Sequence, residues 1–243
     1  MADGVETVER YGRLVRHFPV AVSAGAMAGA WARQEDAPGG ATVVVDHEIT
    51  PLSRLGETWQ SPSAASLSMA VVLRPPLAPE DGDVCWLVGG LGAMLGAEAV
   101  SGTELATWWP DRVMSQGSTE LRISVKTEIQ LGAAKVKSAV VVMRFDLRGL
   151  GIDVDRREEL VEAVVTALDE AAARLDEGPE AAAAAYEQRC VLMERRVKLR
   201  LMPKGETRGT VRGIDRGGRL ELQSGTGMIE RISIDMLREL QLA

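Results

Sequence analysis

Cysteine and histidine are scarce in this chain: Cys85, Cys190, His17 and His47 are all that its 243 residues contain. Two cysteines cannot make a disulfide framework or a thiolate-rich metal site, and with two histidines beside them no structural zinc is expected. Both thiols are expected to be buried small hydrophobes. Long apolar runs are missing too. None reaches the ~18 to 20 uninterrupted residues of a membrane span, and Met1-Ala2-Asp3-Gly4-Val5-Glu6 lacks the basic start of a secretory signal, so a cytoplasmic protein is expected. Positive charge is in deficit, 28 Lys and Arg against 35 Asp and Glu for a net charge of −7, which argues against a nucleic-acid partner.

What is present suffices for one good core and a small second domain, since 46% of the residues are hydrophobic. Residues 42–46 and 67–73 read as short buried strands, and 84–99 as a glycine-bearing apolar helix. Residues 119–130 alternate, with Leu121, Ile123, Val125, Thr127 and Ile129 on one face. A turn at Gly132-Ala133-Ala134 returns the chain into a valine-rich strand over 136–146. Helices are predicted over 157–176 and 180–194. From Arg195 onward short strands at roughly ten-residue spacing suggest a small antiparallel barrel, which places a domain boundary near Met193. Residues 155–187 hold ten acidic side chains, whereas residues 188–220 hold ten basic ones. That handover describes either two solvated faces or a basic module that meets an acidic partner.

One stretch is more specific than any of this. Trp59-Gln60-Ser61-Pro62 leads into Leu67-Ser68-Met69-Ala70-Val71-Val72-Leu73-Arg74-Pro75, and it resembles the biotin protein ligases, where a Gly/Arg-rich substrate loop precedes a tryptophan, a Ser-Pro turn and a buried strand ending Leu-Arg-Pro. The tail from Gly209 through Gly213-Ile214-Asp215 to Leu220 is similar to the C-terminal domain of that family. The resemblance covers nearly the whole length. It implies an α/β (α+β) fold in which a mixed sheet flanked by helices (residues 1–193) is followed by an SH3-like barrel (residues 194–243). Too little sequence precedes the domain for a helix-turn-helix module, so no operator binding is expected.

The site motifs of that family are altered here. Ser23 keeps the serine of Ser-Thr-Asn; Arg54 and Gly56 fall on an arginine and the last glycine of Gly-Arg-Gly-Arg-Arg-Gly; Trp109, Pro110 and Asp111 stand in for part of Lys-Trp-Pro-Asn-Asp. These, with Trp59, are the substrate-binding residues that the resemblance implies. Leu121 takes the place of the catalytic lysine and Ser124 that of a glycine on the same strand, while Val142 and Arg144 replace both glycines of Gly-x-Gly-x-Asn. Lost arginines remove charge-assisted contacts to a carboxylate or phosphate, and lost glycines remove room for a nucleotide. By strict alternation Lys126 lies on the opposite face from Leu121 unless a bulge intervenes.

Three functions follow as alternatives. The first is a ligase forming an acyl-adenylate from ATP, magnesium and biotin, and passing the acyl group to a biotinyl or lipoyl carrier domain. The second is an acyl transferase acting on another small carboxylic acid or thioester, with Cys85 at a helix start as a candidate nucleophile. The third is a non-catalytic relative that binds a ligand or a carrier protein. If adenylation is lost, the pocket is expected to be filled by Leu52, Leu121, Arg144 and Trp108. His47 beside the loop is read as solvated, and the polar face of residues 120–130 as a possible dimer surface.

Overall fold

The computed structural model describes residues 6–59 and 65–243; the Ser61-Pro62 turn falls outside them. Eight strands form one sheet: β1 (Thr7–Arg10), β2 (Arg13–Ala21), β3 (Thr42–Glu48), β4 (Ser66–Leu73), β5 (Leu105–Trp108), β6 (Arg112–Ser115), β7 (Leu121–Leu131) and β8 (Val136–Asp146). Their spatial order is β1-β2-β3-β4-β8-β7-β6-β5. Only the β2–β3 pairing is parallel, so the sheet is mixed.

The central strands are buried on both faces, which is why β4 and β8 read as nearly continuous apolar runs. Val141, Met143 and Phe145 of β8 face one core, while Val140 and Val142 face another. The smaller core lies under α1 (Ala24–Gln34), a helix rich in alanine and glycine that rests on β3, β4 and β8. The larger lies under α2 (Val84–Ser101) and α4 (Arg157–Ala173), with a short α3 (Leu147–Leu150) between β8 and α4. By length and composition α2 could cross a membrane, but 78% of it is buried inside this protein.

Helix α2 approaches α4 closely because it presents glycine there. A Cβ on Gly96 would sit 2.4 Å from Val164 Cα, and one on Gly92 2.7 Å from Leu168 Cα. Both obstacles are backbone, so neither can swing aside. Gly96→Ala is therefore expected to force the helices apart and lower stability by about 3 kcal/mol, despite alanine's better helix propensity; urea unfolding measures it.

Helix α5 (Pro179–Glu187) ends earlier than the predicted 180–194. The chain beyond it passes through turns and makes one parallel bridge at Cys190 on the outer edge of β5: Thr107 N–H donates to Arg189 O (2.9 Å) and Val191 N–H to Thr107 O (3.0 Å). Unpaired edge groups of the sheet outcompete another helical turn. Strands β7 and β8 occupy the predicted positions, and β7 lies between β8 and β6, so its first half is interior rather than a dimer edge. Sequence periodicity missed β1, β2, β5 and β6.

A second, antiparallel sheet follows: β9 (Arg196–Leu201), β10 (Gly205–Ile214), β11 (Leu220–Gln223), β12 (Ile229–Ile232) and β13 (Leu237–Leu242), in the order β12-β11-β10-β9-β13. Strand β13 was not predicted. The basic residues of the C-terminal domain are mostly matched locally, as in Lys198–Glu206 (2.8 Å), Arg219–Asp215 (2.8 Å) and Arg212–Glu194, which favours solvated faces over a basic docking module. Arg216 reaches Asp81 of the first domain at 3.1 Å.

Candidate ligand-binding cleft

The loop between β3 and β4 folds back on itself as a small hairpin. Trp59 N–H donates to Pro51 O (2.7 Å), Ser53 N–H to Glu57 O (2.9 Å), and Gly56 turns the tip at φ +78°. Positive φ is what that position requires, and nothing lies within 4 Å of where a Gly56 side chain would point. The hairpin leans across the end of the sheet towards β13. Between them is a cleft of about 610 Å³, lined by Trp59 from the loop, Trp108 and Arg112 from the β5–β6 hairpin, Leu121 and Ser124 from β7, and Arg238 from β13.

Arg54 is committed to holding this cleft together. Its Nε donates to Asp111 Oδ2 at 2.9 Å and its Nη1 to Leu237 O at 2.7 Å, with the two paired side chains only 10% and 12% exposed. One guanidinium thus ties loop, first domain and C-terminal domain. Arg112, by contrast, is half-exposed and no closer than 3.9 Å to Asp111. It is the directly opposed neighbour of Ser124 across β6 and β7, and together they offer a cation and a hydroxyl to an acidic group.

Trp109 is among the residues that line the cleft, and its indole also reaches the neighbouring domain. It is completely buried, its Nε1 donates to Gly218 O at 2.9 Å, and it is followed by a cis bond to the buried Pro110. A large side chain with one polar atom found its partner in the neighbouring domain. Ser23 is not among the cleft-lining residues; it caps α1, accepting from Ala26 N–H at 3.4 Å. His47 is exposed. Trp59 lines the cleft, and its buried Nε1 has no hydrogen-bond partner among the described residues. Leu121 and Ser124 line it together although alternation separates them, because the β6–β7 register shifts beside Leu121. Lys126 pairs with Glu128 at 2.8 Å.

A second cluster lies beside Ser124. Arg144 sits between Ser68 on β4 and Ser124 on β7, on the α1 face of the sheet. Its Nε and Nη2 hold Glu48 Oε2 and Oε1 at 2.6 and 2.9 Å, and both side chains are 2% exposed. Ser68 Oγ and the Ala24 N–H at the start of α1 complete the carboxylate, each at 2.9 Å. Glu48 was overlooked in the sequence. The available signal was Arg144 itself, a lone charge inside Val140-Val141-Val142-Met143-Arg144-Phe145, since a buried arginine implies a buried acid. Leu52 is not part of the cleft lining.

Where the family resemblance implies a glycine and a lysine, this chain has Arg144, buried against Glu48, and the aliphatic Leu121. Among the described residues no group of three or more His, Cys, Asp or Glu side chains is placed to hold a metal. The two thiols are buried, and burial pushes the Cys85 thiol pKa up to about 12 and that of Cys190 up to about 11, away from the thiolate form.

Asp83, just before α2, is displaced as well. Burial, then the charge of Asp235, raises its pKa, opposed by a hydrogen bond from the Ile234 backbone. A carboxyl whose folded pKa is raised penalises the fold fully above that pKa, and the penalty fades as pH falls through it. Asp83→Asn keeps an acceptor for Ile234 and removes the charge. The variant is expected to melt higher than the parent at pH 7 and to converge with it towards pH 4, a comparison that thermal scans across pH make directly.

An α/β sheet domain joined to a small antiparallel domain, with a polar cleft where the two meet, is a fold that solved biotin protein ligases share. The comparisons make the likeness particular. Residues 193–234 match the family described as biotin protein ligase C terminal domain. The bifunctional ligase/repressor BirA of Bacillus spizizenii is 24% identical over 124 residues, 51% of this chain, and that of Bacillus subtilis 25% over 142 residues, 56% of this chain. Those matches span 35% and 41% of the two BirA proteins. In fold, the chain is similar to biotin protein ligase from Aquifex aeolicus in complex with biotin and ATP, with a TM-score of 0.71, 18% identity, and 94% and 99% of the two chains covered. A biotin protein ligase-like protein of unknown function from Silicibacter sp. TM1040 gives 0.70 at 14% identity, covering 93% and 96%.

Proposed function

We propose that this chain is a small-acid-binding relative of the biotin protein ligases that does not form an acyl-adenylate. The buried Glu48–Arg144 pair carries the reading. The pair is hydrogen-bonded to Ser68 and to the start of α1, with Arg144 Nη1 left without a partner among the described residues, and it puts two buried charges where the resemblance implies a nucleotide-facing glycine. The cleft beside it remains able to receive a carboxylate at Arg112 and Ser124 and an apolar chain against Trp59, Trp108 and Leu121. Biotin, bound by the Aquifex aeolicus relative, is the first ligand to try, and a carrier domain bearing such an acid is the partner this reading allows. The pKa values of Cys85 and Cys190 weigh against acyl transfer through a thiol.

Calorimetric titration with biotin, lipoate and octanoate, each with and without ATP and magnesium, tests it. One acid is expected to bind with the same affinity in both conditions and without release of pyrophosphate, and Arg112→Ala is expected to weaken it about ten-fold or more. Affinity that rises with ATP, accompanied by pyrophosphate, would restore the ligase. No binding across the panel would remove the small-acid reading.

A further inference from the structure

A separate slot of about 310 Å³ opens on the opposite face of the sheet from Arg144, between the tip of the β1–β2 hairpin and the start of α4. Its floor is aliphatic, made by Val15, Val44, Leu67 and Val161. Its rim mixes acids with bases, Asp46, Asp155 and Glu158 with Arg10, Arg157 and His17. His17 Nε2 lies 2.9 Å from Asp46 Oδ2, with both side chains partly exposed, and Arg10 Nη1 lies 3.1 Å from Glu158 Oε1. The Arg157 guanidinium, which donates to Ser66 O at 3.1 Å, stands on the same rim. Tyr11 forms the remaining wall. It occupies a two-residue hairpin turn at φ +55° beside Gly12 at φ +68°, a conformation that favours glycine and asparagine, yet an aromatic ring is kept there and leans on the core beside the slot.

We propose that this slot binds a small zwitterion with an apolar side chain, of the α-amino-acid class. The charge pattern selects that chemistry. A simple anion placed at Arg157 would share the slot with Asp46, and a simple cation placed at Asp46 would share it with Arg157. A group carrying ammonium and carboxylate on one carbon matches both, the ammonium meeting Asp46 and the carboxylate meeting Arg157. The side chain then lies on the valine and leucine floor. The volume is at the lower end of small-molecule sites, which suits a single residue-sized ligand better than a nucleotide. None of these side chains lines the cleft at Arg112, so the inference is independent of the acid-binding reading.

Calorimetry of the full chain with leucine and phenylalanine, set against 4-methylpentanoate and 3-methylbutylamine, tests it. Saturable binding of at least one amino acid is expected, with each single-charge analogue about ten-fold weaker or worse. Asp46→Asn, at a partly exposed position that leaves the floor intact, is expected to abolish the preference for leucine over 4-methylpentanoate. Arg112→Ala is expected to leave amino-acid binding unchanged. No saturable binding of either amino acid, equal binding of the single-charge analogues, or loss of binding in Arg112→Ala would each overturn the proposal.

Discussion

Glu48→Ala is expected to destabilise the chain by about 3–5 kcal/mol, the cost of leaving a buried guanidinium without its counter-charge. Three donors lose their acceptor at once: Arg144, Ser68 Oγ and Ala24 N–H. Arg144 cannot relieve this by moving into solvent, because strands β4 and β7 flank it and α1 covers the face it points to. Arg144→Met alone strands Glu48 in the same way. The double variant Glu48→Leu/Arg144→Met removes both charges, and it is expected to recover most of the loss. Urea unfolding of the three variants gives the coupling. A Glu48→Ala variant within about 1 kcal/mol of the parent would mean that water reaches the pair, and the space assigned to it would then be open to a ligand.

Arg54→Ala is expected to be nearly as damaging, by about 3 kcal/mol, for a different reason. Asp111 loses its partner while almost buried, and Leu237 O loses the donor that joins the loop to β13. The effect should therefore be local as well as global. Amide hydrogen exchange at residues 234–240 and in the 51–59 hairpin is expected to accelerate, while exchange in β4 and β8 stays slow. Arg54→Lys keeps the charge but offers no planar fork to reach Asp111 and Leu237 together, so an intermediate loss is expected. If Arg54→Ala unfolds at the parental urea concentration and the exchange pattern is unchanged, the arginine is available to ligands after all.

Much of the fold was readable from the chain alone because it depends on period and turn chemistry. Residues 121–131 and 136–146 alternate or run apolar as strands must, and Gly178-Pro179 marks a helix start. What escaped detection has a physical cause in each case. Strands β1 and β2 carry arginines and expose much of their surface, so no apolar pattern announces them. The segment after Glu187 is helical by composition, yet its backbone is recruited by the edge of β5. The site divides similarly. Trp59 and Arg54 were placed at the cleft by motif, but the motif could not say that Arg54 is already bonded on two sides. Trp109 was read as a wall, and the motif gave no sign that its indole also bonds to Gly218 O of the neighbouring domain. Glu48 lies at the end of an unremarkable strand, and only its three-dimensional neighbours give it a role.

Helix α2 has a consequence for how the protein is made. Its eighteen residues are complete by Ser101, but the helix that covers its glycine face, α4, ends only at Ala173. For some seventy residues of synthesis, about 4–14 s at ordinary elongation rates, the most apolar segment of the chain emerges without its cover. During that interval it has the length and hydropathy of a segment that inserts into bilayers or aggregates. Chains truncated between Ser101 and Ala173 would remain in that state permanently, so nonsense products of this gene are expected to be insoluble or membrane-associated, whereas those ending after Glu187 keep α2 enclosed.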